Sequence, residues 1–200
     1  MPRNEYYVRI ADPSKLMIKF AIFPFMIVFQ LSLSTGFAGV YGDFEFGDSR
    51  ETVTQKMTKS PLVVQTVDST FFGRTGLNGI FKCKTKLAGL TYHLFFGWDK
   101  DGGLNEVTLR SNQLAMVEYS HGLRKAWVEA ESLFSKVYHA PAQSTAYPHQ
   151  GAFKEHNILV SHVWHRGQNQ SILLGPGIDK GKCFLAIRFV NQRIELPKIP

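Results

Sequence analysis

Two cysteines in 200 residues, both within strand patterns, argue against a thiol nucleophile. Acidic residues are also scarce, 16 against 23 Lys and Arg, so the chain carries +7 at neutral pH with His uncharged. No Gly-x-Ser-x-Gly elbow marks a nucleophile. Gly175–Cys183 lacks the spacing of a phosphate loop, has Cys where Ser or Thr is needed, and leads into a strand pattern, so it reads as a strand-to-strand loop. Asp99, Asp101 and Glu106 suggest a calcium loop, but Gly103 takes the third acidic position, which favours an Asp-Gly-Gly turn. No cofactor and no metal is therefore expected. The rest is ordinary globular composition, 44% hydrophobic with 16 Phe, which excludes wholesale disorder, collagen and coiled coil.

The longest gap in charge runs from Phe20 to Gly42, 23 residues. Its apolar part, Phe20–Leu31, is well short of the ~20 residues that span a bilayer. Lys19 precedes it, a small and polar stretch follows, and Gly36 and Ala38 supply the small side chains a signal peptidase needs. This is the plan of a secretory signal cleaved after Ala38, and it implies a periplasmic or secreted mature protein. An uncleaved segment would be an N-terminal anchor, the one route to a membrane, but Pro24 and the polar second half oppose that. Met17-Ile18-Lys19 opens a shorter and more regular signal, so translation from Met17 rather than Met1 is the alternative start. Loss of residues 1–38 removes four cations and two anions and leaves a net charge of +5. A basic exported protein suits an acidic protein or another anionic envelope component; solubility alone is the simpler account. In an oxidising compartment Cys83 and Cys183 can pair across about 100 residues, or remain two separate buried thiols.

The remainder, 39–200, reads as one α+β domain of two lobes, about 39–112 and 113–200. Asp48 and Glu51 are spaced as a capping box for a first helix that Ser60-Pro61 ends. Strand patterns follow at Leu62–Val67, Ile80–Leu87, Leu90–Trp98 and Leu104–Ser111, the middle two joined by an Ala88-Gly89 turn. A long helix is expected over Leu114–Tyr138, with Leu123, Ala126, Trp127, Ala130, Leu133, Phe134 and Val137 on its buried face. A polar loop, Ala140–His156, leads to strands at Ile158–His165, Ser171–Leu174 and Cys183–Val190, and Leu196–Pro200 is a tail. Helix-then-strands twice over, without βαβ alternation, implies tandem helix plus antiparallel sheet units with the helices packed on one face.

The segment Phe44-Glu45-Phe46-Gly47-Asp48-Ser49-Arg50-Glu51-Thr52-Val53 resembles the aromatic-Gly-x-Ser/Thr-x-x-x-Val opening of small exported bacterial proteins of the SmpA/OmlA family and the β-lactamase-inhibitor-protein-like fold. The resemblance implies a helix leading into an antiparallel sheet. The outer-membrane members carry a lipid-bearing Cys at the mature N-terminus, a position where this chain has none.

A two-residue turn at Ala88-Gly89 sets the hairpin register: Leu87 opposite Leu90, Cys83 opposite Leu94 and Phe81 opposite Phe96 on one face. On the other face Lys86 faces Thr91, Lys84 faces His93 and Lys82 faces Phe95, and Arg110 of the next strand continues this face. The candidate binding residues are therefore Lys82, Lys84, Lys86, His93, Phe95 and Arg110. The competing reading is a solvated face whose lysines discourage edge pairing. One exposed aromatic is too few for a nucleic-acid stacking platform, so no specific nucleic-acid partner is expected. Histidines cluster at 139–165. His162 and His165, three apart on a strand, point to opposite faces, whereas Glu118 and His121 share a helix side. The function these features suggest is non-enzymatic binding of an acidic partner through a basic sheet face. The alternative is an envelope hydrolase or metal-dependent enzyme using the His-rich 139–165 region.

Overall fold

The computed structural model describes residues 40–65, 81–83, 86–154 and 157–197. The leader and the signal segment with its cleavage site lie outside the described residues, as do Lys84 and His156. The described residues belong to one compact unit, Gly39–Pro200. Among them no helix is long and apolar enough to cross a membrane.

The fold is α+β. Helix α1 (Arg50–Lys59) precedes strands β1 (Val63–Gln65), β2 (Phe81–Cys83), β3 (Tyr92–Trp98) and β4 (Leu104–Ser111). The short β5 (Leu114–Ala115) leads through a 3-10 turn and a π-helical turn into helix α2 (Arg124–Tyr138). Then come β6 (Gln143–Ser144), β7 (His162–Arg166), β8 (Gln170–Asp179) and β9 (Lys182–Val190). Among the described residues nine strands join one antiparallel sheet in the order β1-β2-β3-β4-β9-β8-β7-β6, with β5 added to β9. The β4–β9 pairing joins the two helix-then-strands halves into a continuous surface.

One face of that sheet carries the core. Tyr92, Leu94 and Phe96 alternate inward on β3, Val107 and Leu109 on β4, and Leu185, Ile187 and Phe189 on β9. Val53 and Met57 of α1 and Ala126 and Ala130 of α2 enter the same cluster, so both helices cover the same face. Trp164, 1% exposed, anchors the second half; its indole N–H donates to the carbonyl of His139, where α2 ends.

Helix α1 is capped by Ser49, whose hydroxyl accepts from the Thr52 N–H. Asp48 instead binds the Glu45 N–H and the Lys56 ammonium, so the expected Asp48/Glu51 box is not made. The second helix is shorter than expected because Leu114 and Ala115 are drawn into pairing with Cys183 and Lys182, and the chain turns through 3-10 and π geometry before Arg124. Its apolar stripe also overruns the sheet: Leu133 and Val137 are exposed.

Gly175-Pro176-Gly177 is strand, not loop; only Lys180-Gly181 turns, both at positive φ. The outer sides of both glycines are occupied. A Cβ on Gly175 would lie 2.1 Å from the Leu159 carbonyl oxygen, and one on Gly177 2.4 Å from the Phe184 ring. Two glycines and a proline therefore signal close backbone and ring approach here rather than flexibility.

The hairpin register is corrected by two residues. Leu87 does pair with Leu90 across a turn with Ala88 and Gly89 at positive φ. Beyond it Phe81 opposes Leu94 and Lys82 opposes His93, not Phe96 and Phe95. The first strand takes five steps from Leu87 to Lys82 where its partner takes three from Leu90 to His93. An even shift preserves alternation, which is why the two-faced pattern survives the error.

Candidate functional site

The outer face of the sheet divides into a covered and an open half. Over β7, β8 and the end of β9, Val163, Leu173 and Val190 form a second apolar cluster roofed by Ile194 and Leu196 of the C-terminal segment. That segment is tied down at two places. The Ile194 N–H donates to Ser171 Oγ at 2.8 Å, and Leu196 exchanges hydrogen bonds with the Gln143 amide. Over β3 and β4 a cavity of about 430 Å³ opens, lined by His93, Phe95, Arg110, Ser111, Asn112, Gln113 and Asp179.

Strand register builds this cavity. His93 is the cross-strand partner of Arg110, and Phe95 of Thr108. Arg110 in turn pairs with Ala186 of β9, small enough to leave room for a guanidinium. The Arg110 guanidinium lies 3.8 Å above the centre of the Phe184 ring, and that ring rests on Gly177, its cross-strand partner. Phe184 is thus 2% exposed on the outer face, shielded by glycine below and arginine above. Asp179, at the end of β8, accepts from Arg110 Nη2 at 2.5 Å and from the Gln113 amide at 3.1 Å. Farther along, Arg188 grips Glu106 through two N–H groups at 2.9 and 2.8 Å, and Thr108 donates to the same carboxylate. Burial pushes the Glu106 carboxyl up, but the bonds from Arg188 and Thr108 outweigh it and hold the group below its usual range.

Three of the six sequence-selected residues, His93, Phe95 and Arg110, therefore meet in one cavity. Lys86 is exposed beside the turn. Lys82 is paired with His93 through the backbone, its side chain lying outside the described residues, as does Lys84 entirely. Neither Asp179 nor Phe184 stands out in the sequence. The only signal is the unbroken apolar run Cys183–Ile187, which marks a strand covered on both sides.

The cysteines do not pair. Both are free and buried. β2 and β9 are three strand spacings apart, about 14 Å, and a disulfide needs Cα atoms within about 7 Å. Cys83 Sγ accepts from the Tyr41 hydroxyl at 3.2 Å, and Cys183 faces the carbonyls of Leu114 and Ala115. Burial pushes both thiols up, away from the reactive thiolate form.

The histidines scatter. His139 is the residue just past the end of α2 and is exposed, and His149 is exposed with Nδ1 accepting from the Gly151 N–H. His162 is buried on the inner face between Trp127 and Trp164, and His165 lies on the outer face beside Ser171. Among the described residues no three His, Cys, Asp or Glu side chains converge as a metal site. A second cavity of about 320 Å³, missed in the sequence, lies beside the π-helical turn, lined by Tyr119, Arg124, Tyr147, Pro148 and His149 among others. Its two tyrosines clamp opposite backbones: Tyr119 donates to the Pro148 carbonyl and Tyr147 to the Tyr119 carbonyl. Burial is the main reason the Tyr119 phenol is pushed up to about 12.

Compared with protein families, curated proteins and solved structures, the chain has no match.

Proposed function

We propose that this is an exported binding protein with no chemistry of its own, which offers the open half of its outer sheet face to an acidic protein in the envelope. The observation that carries the reading is the cavity over β3 and β4, where a guanidinium, an imidazole and a phenyl ring line one recess. Export rests on the Phe20–Ala38 segment, with a periplasmic or secreted location after cleavage. The resemblance of residues 44–53 to small exported bacterial proteins supports the same setting. A net charge of +5 after cleavage would draw an acidic partner in and make association salt-sensitive.

The test is titration of a labelled hexaglutamate peptide against the protein and against the Lys82→Glu/Lys84→Glu/Lys86→Glu variant. The wild type should bind, less tightly as salt is raised. Reversing these three charges should weaken binding roughly tenfold or more. Equal affinity of the two proteins, or no binding by the wild type, overturns the reading.

A further inference from the structure

The hydrogen bonds around Arg110 leave a surplus of donors. A guanidinium has five N–H groups. One goes to Asp179; the others have no hydrogen-bond partner among the described residues, although the guanidinium sits only partly in solvent, over a phenyl ring. Asn112, also lining the cavity, spends its carbonyl oxygen on the N–H and hydroxyl of Thr91, and its NH₂ has no partner among the described residues. Donors therefore outnumber acceptors in the recess, and the acceptor already present is a carboxylate on the same chain.

Asp179 is held where it is by the architecture. It is the last residue of β8, paired with Lys182 across the Lys180-Gly181 turn, and the turn is braced by β5 pairing with Lys182 and Cys183. Its carboxylate shares the recess with Arg110. An incoming carboxylate meets the unused N–H groups of Arg110, but it also meets a like charge.

We propose that Arg110 is the anchor for one carboxylate of an acidic protein segment, and that Asp179 is a built-in competitor that lowers the affinity of this anchor. This deepens the binding reading above and rests on it. Asp179 stands where the ligand's acid must share or displace it. Weak, isolated anions are turned away by the like charge.

The experiment uses the same labelled hexaglutamate peptide with Asp179→Asn, Asp179→Ser and Arg110→Gln. Both Asp179 variants should bind about three- to tenfold more tightly than wild type, and Arg110→Gln about tenfold more weakly. In the wild type, the Arg110 Nε–H resonance should shift on adding peptide, a readout that does not depend on any variant folding. Unchanged or weaker binding by both Asp179 variants overturns the competitor, even if the triple lysine reversal still abolishes binding. Unchanged binding by Arg110→Gln with no resonance shift overturns the anchor. An equal gain for inorganic phosphate in the Asp179 variants overturns the choice of an acidic protein segment. Failure of wild type and all Asp179 variants to bind the peptide overturns this inference together with the reading beneath it.

Discussion

Replacing Ser161 with alanine is expected to loosen the whole second half of the molecule. Ser161 is 0% exposed. Its hydroxyl lies 3.0 Å from the Leu174 carbonyl, 2.8 Å from the Trp127 indole nitrogen and 3.1 Å from His162 Nδ1. With the hydroxyl proton on the carbonyl, the oxygen accepts from both the indole and the imidazole, so one side chain ties α2 to β7 and β8. Alanine leaves two donors without an acceptor in a site water does not reach. At ~1–3 kcal/mol for each buried group left unsatisfied, the loss is about 3 kcal/mol. For a domain of this size that lowers Tm by roughly 6–12 °C. Urea unfolding followed by tryptophan fluorescence measures it directly, since Trp127 is one of the reporters. The same hub gives a pH dependence. Burial lowers the affinity of His162 for a proton, and the Glu131 carboxylate opposes this only in part, so the folded-state pKa lies below the ordinary 6.5. The unfolded chain therefore binds the proton more readily. The contribution of His162 is fully present above about pH 6.5 and is lost as pH falls from there through the folded value. His162→Phe should flatten that decline. A Ser161→Ala loss below about 0.5 kcal/mol would refute the hub, and an equal decline in His162→Phe would refute its pH arm.

Two backbone predictions follow from the same geometry. Gly175→Ala sets a Cβ against the Leu159 carbonyl and the Val160 Cα, backbone that cannot rotate away, and should cost roughly 3 kcal/mol by chemical denaturation. Ala88→Gly removes a Cβ from a residue held at φ 48° in the β2–β3 turn and should raise stability by about 0.5–1 kcal/mol in the same assay.

The local rhythm of the chain made much of the fold legible. Period-two alternation in Tyr92–Trp98 and Leu104–Ser111 identified both strands and told which side chains share a face. The same alternation puts His93, Phe95 and Arg110 on one face, where the strand pairing also holds them. Errors arose where a distant segment overrides local preference. Leu114–Leu123 has helical spacing, yet pairing with β9 claims its first two residues. Gly175-Pro176-Gly177 has loop chemistry, yet its glycines make room for Leu159 and Phe184. The hairpin register slipped because extra residues on one strand leave no mark in a pattern of period two.

Sequence alone determined which residues alternate, where the chain turns, the basic balance and the uncharged N-terminal run, because each depends on neighbours in the chain. Tertiary structure decided which part of the outer face stays open, since its cover comes from Ile194 and Leu196, beyond the last strand. It also decided that Arg110 meets an acid 69 residues away in sequence. Alternation assigns a side chain to a face; only the assembled sheet determines what lies against that face, because the groups that cover or neutralise it are brought there by pairing over long distances.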